Sequence, residues 1–314
     1  MKATKYMCRI RIFLMQLIIF YRELLKIFSE NYFSMWYYFF VHIFLGGKLM
    51  GEVIVITSGK GGVGKTTNSA NIGTGLALAG KKVVLIDADI GLRNLDVVMG
   101  LENRIVYDLV DVVEGNCRYK QALIKDKKYP NLCLLPAAQT KDKDAVSPEQ
   151  MQKLCETLKE KFDYVVIDCP AGIEQGFKNA IAGADRAIVV TTPEVSAVRD
   201  ADRIIGLLEA NELNNPMLIL NRLRLDMVKR GDMMTIDDVK EILAIDILGV
   251  VPDDEAIVIS TNKGEPAITN LNSRAGQAFN NIVHRIMGED IPIIDFDEEN
   301  KFISKLKKMF RIGA

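Results

Sequence analysis

From residue 50 onward, short apolar runs alternate with longer stretches in which apolar positions recur every three or four residues. The runs lie at 53–57, 82–87, 132–136, 164–168, 187–192, 217–221 and 247–251. Several are apolar almost throughout, as expected of strands covered on both faces. Helical periodicity spans 66–79, 148–162, 173–182, 195–209, 235–243 and 274–287. Gly80, Gly183 and Gly288 stand where helix C-caps belong. The alternation predicts an α/β domain over 50–288: a doubly wound, mostly parallel sheet with helices on both faces, in three α/β/α layers. No internal repeat or low-complexity tract interrupts it.

The most informative stretch joins the first run to the first helix. Ser58-Gly-Lys-Gly-Gly-Val-Gly-Lys-Thr-Thr67 fits the phosphate-binding loop G-x-x-x-x-G-K-[ST] over Gly59, Lys60, Gly61, Gly62, Val63, Gly64, Lys65 and Thr66, with Thr67 following. Glycines let such a loop curl, so that backbone N–H groups face phosphate oxygens. Lys65 then reaches the β/γ-phosphates, the Thr66 hydroxyl is available to Mg²⁺, and the helix starting near Lys65 favours anions at its N-terminus. Strand, loop and helix follow in the order a nucleoside-triphosphate site requires. Lys60 is a second lysine where the motif accepts any residue; by itself it also fits a solvated loop charge.

Acidic residues close two other runs. Val83-Val-Leu-Ile-Asp-Ala-Asp89 is followed by Ile90-Gly-Leu-Arg-Asn-Leu-Asp96, and Tyr164-Val-Val-Ile-Asp168 precedes Cys-Pro-Ala-Gly172. Ligands of doubly wound sheets sit beyond the carboxyl ends of strands. Mg²⁺ keeps several waters and takes few carboxylates, so Asp87 and Asp168 suit outer-shell roles beside Thr66. Asp89 suits orientation of an attacking water. An Asp at a strand end also serves as a helix cap, which is the plainer role for any one of them taken alone.

Composition narrows the picture. Net charge is −1 with a pI near 6.2, so no global basic field advertises nucleic acid. The five cysteines include no C-x-x-C pair, which removes a disulfide framework, a zinc site or an iron–sulfur scaffold. The two histidines, His42 and His284, lie away from the loop, so no strong base is at hand and a slow ATPase is expected.

The loop with its extra lysine resembles the deviant phosphate loop K-G-G-x-G-K-[ST] of the MinD/ParA superfamily of ATPases. Residues 87–96 are similar to the switch I segment of its septum-placing branch, Asp168-Cys-Pro-Ala-Gly-Ile-Glu174 to switch II, and Thr192-Pro-Glu-Val-Ser-Ala-Val-Arg-Asp-Ala-Asp202 to a further block. The likeness covers essentially all of 50–314. It implies a homodimer formed on binding ATP and Mg²⁺, with Lys60 crossing to the partner's phosphates and Asp89 and Asn94 lining the hydrolytic site. It implies adenine contacts from Asn221 and from the turn at Pro252 and Asp253. It also implies partners: the division inhibitor MinC, a topological regulator such as MinE or a polar scaffold, and anionic lipid, with no specific nucleic acid. The partner surface falls near Asp200 and Asp202, which an ordinary solvated helix face explains equally well.

Two terminal segments fall outside the domain. Residues 1–49 hold thirteen of the 23 aromatics. The stretch 31–47 lacks acids, Lys and Arg, and its length is at the lower limit for a membrane span. It reads as a short anchor, a signal sequence, or a translated leader ahead of a start at Met50. The last is the expectation, because Met50-Gly-Glu-Val-Ile-Val resembles the family's opening and the codons for Gly46 to Leu49 can contain a bacterial ribosome-binding sequence. At the other end, an acidic linker at 289–300 precedes a basic segment at 301–314. On a helical wheel Phe302, Ile303, Leu306, Met309 and Phe310 share an arc of about 120°, with Lys305 and Lys308 among the cations on the rest. Such a helix lies in the headgroup plane of an anionic membrane. These features predict a protein shared between cytoplasm and inner membrane face. A DNA-positioning ATPase of the ParA kind is the alternative.

Overall fold

The computed structural model describes residues 50–142 and 144–294. The leader, the end of the acidic linker and the amphipathic tail lie outside the described residues. Eight strands form one sheet: β1 (Glu52–Thr57), β2 (Val83–Asp87), β3 (Ile124–Lys125), β4 (Leu132–Leu135), β5 (Tyr164–Asp168), β6 (Arg186–Thr191), β7 (Met217–Leu223) and β8 (Ile247–Pro252). Their order is β3-β4-β2-β5-β1-β6-β7-β8. All pairs are parallel except β3 with β4, so the fold is the three-layer α/β/α arrangement read from the alternation.

From β1 the chain crosses to β2, runs out to β3 and β4, returns as β5 between β2 and β1, and then leaves on the other side through β6, β7 and β8. Register then does chemical work. Asp87 of β2 pairs with Asp168 of β5, and Asp168 pairs with Ile56 of β1. Three strands therefore deliver two acids and the start of the phosphate loop to one point on the carboxyl edge.

Helix α1 (Lys65–Leu78) is buried on nearly every side. Its glycines explain how. A Cβ at Gly73 would lie 2.5 Å from a Leu85 methyl, and one at Gly75 would lie 2.3 Å from Ile268 and 2.6 Å from Val283. Glycine inside a helix costs about 1 kcal/mol relative to alanine. Here it lets α1 wedge between the sheet and the last helix, α11 (Arg274–Ile286). Polar residues buried with it find partners inside the helix and far from it: Ser69 donates to the Lys65 carbonyl at 3.0 Å, and Asn71 accepts from Ile268 N at 2.8 Å, 197 residues away.

The other layers follow ordinary capping chemistry. Helix α5 (Pro148–Lys159) starts with a Ser147/Gln150 capping box and proline in its first turn. Helices α6 (Gln175–Ile181) and α7 (Val195–Ala210) follow β5 and β6, and α9 (Ile236–Leu243) opens on a Thr235/Asp238 box. Short helices α2 (Leu95–Val98), α3 (Leu109–Val113), α4 (Tyr119–Ala122), α8 (Leu225–Arg230) and α10 (Glu255–Asn262) fill the connections.

Two details depart from expectation. Gly80 and Gly288 sit past helix ends with φ of 83° and 90°, as capping glycines do, but Gly183 is absent from the left-handed residues. A Cβ there would meet Cys155 Sγ at 2.7 Å, so Gly183 serves close approach of α5 rather than a cap. Ile293 and Ile294, in the stretch read as linker, pack against the core. Among the described residues, no helix is long and apolar enough to cross a membrane.

Candidate functional site

The phosphate loop leaves β1 at Thr57 and enters α1 at Lys65 through Gly64, which has a left-handed backbone (φ 102°). Gly62 is left-handed too, at φ 80°. Such angles suit residues without a Cβ. Gly64 also has no room for one, since it would lie 2.3 Å from Asn221 Nδ2. Gly59 is tighter still: a Cβ would meet the Asp200 carbonyl oxygen at 2.2 Å. The loop is thus pressed between Asn221 at the end of β7 and the backbone of α7.

Its two lysines are treated differently. Lys65 is buried, and its Nζ donates to Ser58 Oγ at 3.0 Å, while that hydroxyl donates to the Lys60 carbonyl at 2.8 Å. Lys60 is nearly half exposed, with Nζ 3.3 Å from Ser196 Oγ and 3.8 Å from Glu194 at the start of α7. One lysine closes the loop internally; the other lies on the surface.

The acids lie beneath. Asp168 is buried and accepts from Ser69 Oγ at 3.0 Å, with Thr66 beside it. Burial raises its carboxyl above the ordinary range, against the pull of Thr66, Lys65 and Ser69. Asp87 is fully buried and is raised as well, first by burial and then by the charge of Asp168. Its Oδ1 accepts from Asp89 N at 3.0 Å and its Oδ2 from Leu95 N at 3.1 Å. Asp87 therefore shapes the loop between β2 and α2. A carboxylate has about four lone-pair positions, so two backbone bonds leave it able to accept from a metal-bound water.

Two adjoining buried acids with raised affinity for protons suit a divalent cation, which removes the cost of their charge. Among the described residues no three His, Cys, Asp or Glu side chains gather into a chelating cluster. The donor set that fits is the Thr66 hydroxyl with water-mediated carboxylates, a Mg²⁺ pattern rather than a zinc or calcium one.

A pH dependence follows. Burial raises the Asp168 carboxyl to about 6 and that of Asp87 to about 8, so the fold keeps protons that the unfolded chain releases and stability falls as pH rises from the ordinary carboxylate range, through about 6 for Asp168 and about 8 for Asp87. The slope is at most about 1.4 kcal/mol per pH unit for each extra proton. Thermal unfolding of the nucleotide-free protein at successive pH values should show a shallower decline in Asp87→Asn than in the parent.

Of the remaining predicted residues, Asp89 is half-buried at the head of its loop, and its carbonyl accepts from Leu92 N and Arg93 N. Asn94 is exposed at the N-cap of α2, and its side chain makes no capping bond. Asn221 is buried; its Nδ2 donates to the Val63 carbonyl at 2.7 Å, and its Oδ1 is buried without a partner. Pro252 ends β8, and Asp253 N donates to the Leu223 carbonyl at 3.0 Å across the β7 end. Asp202 is exposed on α7, whereas Asp200 is half-buried against Gly59. Cys169 is buried with its thiol pushed up to about 12 by burial, so it is an inert core residue.

Sequence reasoning overlooked Ser58, Ser69 and Arg222. Ser69 was discoverable, because it follows Thr66 by three residues and so shares its helix face. Arg222 was not: a bulge between Leu220 and Leu223 sets it at φ 56°. With Pro193, Glu194, Met233 and Asp253 it lines a cleft of about 840 Å³ beside the site.

Comparison with known proteins agrees with this geometry. The AAA domain family matches residues 51–219. The septum site-determining protein MinD of Bacillus subtilis is 60% identical over 84% of this chain and 100% of its own length. The solved MinC:MinD cell division protein complex of Aquifex aeolicus has a TM-score of 0.74 at 51% identity, covering 78% of this chain and 99% of that one. The septum site-determining protein MinD complexed with Mg-ADP from Pyrococcus horikoshii has a TM-score of 0.70 at 29% identity, covering 77% and 100%. Identity that runs the full length of a relative, over a site built in this way, places the chain within one branch of the superfamily: it belongs to the MinD family of septum site-determining ATPases.

Proposed function

We propose that this protein is a Mg²⁺-dependent ATPase switch that dimerises around ATP, rests on the membrane as a dimer, and there recruits the division inhibitor MinC. The observation that carries the proposal is the contrast between the two lysines. Lys65 is bound within its own loop, while Lys60 lies on the surface against Ser196 and Glu194. A cation so placed is available to a second copy, where it stabilises charge developing on the γ-phosphate as an arginine finger does.

Other features support the dimer. Leu92 after β2, Ile173 after β5 and Val195 after β6 are exposed on the same carboxyl edge as the loop. Apolar side chains on that edge suit burial against a partner copy. Gly59, Gly61, Gly62, Val63, Gly64, Lys65, Thr66 and Thr67 cradle the phosphates. Asn221, with its unpartnered buried oxygen, suits the adenine amino group, alongside Pro252 and Asp253.

Bound Mg²⁺ would neutralise charge on the phosphates, and Thr66, Asp168 and Asp87 are the residues that would hold it. Asp89 and Asn94 orient the attacking water. Among the described residues the one histidine, His284, is bonded to Glu289 past the end of α11 and supplies no base, so turnover is slow and rises when dimer and regulator complete the site. MinC is the favoured partner because a 51% identical relative was solved as a MinC:MinD complex. Asp202 is exposed on the helix whose Asp200 backbone presses on Gly59 of the phosphate loop, so a partner bound to that helix is linked to the nucleotide through the helix. A regulator such as MinE or a polar scaffold acts on the same dimer.

The amphipathic segment at 301–314 supplies the membrane grip. One short copy binds weakly, and two copies on one dimer gain avidity without new contacts. Sedimentation with anionic liposomes tests the whole reading. With Mg²⁺ present, the protein should pellet with ATP and stay in solution with ADP; equal pelleting with both nucleotides would refute it.

A further inference from the structure

The loop carrying Asp89 and Asn94 is held from three sides. Asp87 accepts from Leu95 N where α2 starts. Met99 packs against α1, its sulfur 3.9 Å from Thr74 Oγ1. The third hold comes from a distant part of the chain. Gly100, past the end of α2, meets Gly264, past the end of α10, backbone to backbone.

This contact is unusual among the described residues. Ten glycines have a left-handed backbone, and seven of them have nothing within 4 Å of a built Cβ, so conformation alone explains them. Gly64 faces side chains. Gly100 and Gly264, each at φ 63°, face one another. A Cβ on Gly264 would lie 2.7 Å from Gly100 Cα and 3.1 Å from its N, and one on Gly100 would lie 3.1 Å from the Gly264 oxygen. Backbone cannot step aside as a side-chain tip can, so the pair needs the lack of a Cβ as well as the turn.

The other end of α10 adjoins the base loop. Asp254 follows Pro252 and Asp253; its Oδ1 accepts from Ala256 N at 2.9 Å and its Oδ2 from Ala275 N at 3.0 Å. Between these ends α10 has no buried residue, and Val258 and Ile259 are exposed on it. Of its apolar side chains Ile257 packs against the core, and only half-buried, so the two ends do most to place the helix. At the far end Leu101 N donates to the Asp96 carbonyl at 2.8 Å, and Asp96 holds Arg93 Nε at 3.0 Å, one residue from Asn94.

We infer that α10 is a brace between the base loop and the hydrolytic loop, and that Gly264 is a positioning residue for ATP hydrolysis. Ordering of the turn at 252–254 by a bound base fixes the start of α10, and the Gly264–Gly100 contact carries that order to α2 and the Asp89–Asn94 loop. The inference rests on the reading of that loop as hydrolytic. Gly264 touches no reacting atom.

Asparagine tolerates a left-handed backbone, so Gly264→Asn tests the contact rather than the turn. Gly115→Asn, at a left-handed glycine with nothing nearby, is the control. In the full chain, Gly264→Asn should lower turnover at saturating ATP by about tenfold, as small misplacements of catalytic groups do. Its affinity for ADP should stay within about twofold, because the base and phosphate contacts remain. Hydrogen exchange at amides 95–101 should slow when ADP binds the parent and the control, and should not respond in Gly264→Asn. If Gly264→Asn does not fold, the same measurements are read on Gly100→Asn, whose new Cβ has the looser 3.1 Å contact. Parental turnover together with a parental exchange response in the variant overturns the brace. Absence of turnover in the parent would instead remove the hydrolytic reading, and the exchange response would still decide the brace.

Discussion

Lys60→Ala is expected to lower ATP turnover by on the order of 10³-fold, the scale of losing a charge-stabilising finger in phosphoryl transfer, while leaving the fold intact. The side chain is nearly half exposed, and its partners Ser196 and Glu194 are themselves exposed. Surface pairs of this kind contribute at most about 1 kcal/mol. Thermal unfolding of the variant should therefore match the parent, which separates loss of function from loss of structure. Lys65 keeps its bond to Ser58 and the loop keeps its left-handed glycines, so ADP should still bind the monomer. Only the assembly of two copies around ATP should fail, visible as a monomer in light scattering with ATP and Mg²⁺. Full turnover in Lys60→Ala would remove the trans-lysine mechanism.

Deleting residues 301–314 should produce the opposite separation. ATP binding and dimer formation persist, because the loop, its acids and the base turn all lie between residues 57 and 254. Association with anionic liposomes should be lost, because the deletion removes the membrane-binding segment from both copies. Phe302, Phe310 and the lysines between them combine apolar bulk and clustered cations at helical spacing. Replacing Lys305 and Lys308 by glutamine should have a smaller effect that fades as salt rises, since that contribution is electrostatic. Undiminished vesicle binding after the deletion would refute the assignment.

Local sequence made the central elements legible. Seven of the strands are runs long and apolar enough to stand out, and the large helices carry apolar positions at the right period. What it missed has a common cause. β3 has two residues, and α2 and α4 have four each, too few for any periodicity to appear. Helix α10 has no fully buried residue, and among its apolar side chains Ile257 is the one packed against the core, so it has no apolar stripe to find. Gly183 resembled a cap because chain position cannot distinguish a glycine that turns from one that admits a neighbour.

The site divides in the same way. Gly59 to Thr67, Asp87, Asp89 and Asp168 stand out as candidates in the sequence because phosphate binding calls for residue types at fixed spacing over a few positions. By itself the sequence determined the fold class, the nucleotide chemistry and the family, all of which are written in such local patterns. Only tertiary structure decided that Asp168 lies beside Asp87, that Asn221 clasps the loop across 158 residues, and that Gly100 touches Gly264. Those contacts depend on strand register and on how closely two backbones approach, and neither quantity is encoded at any single position in the chain.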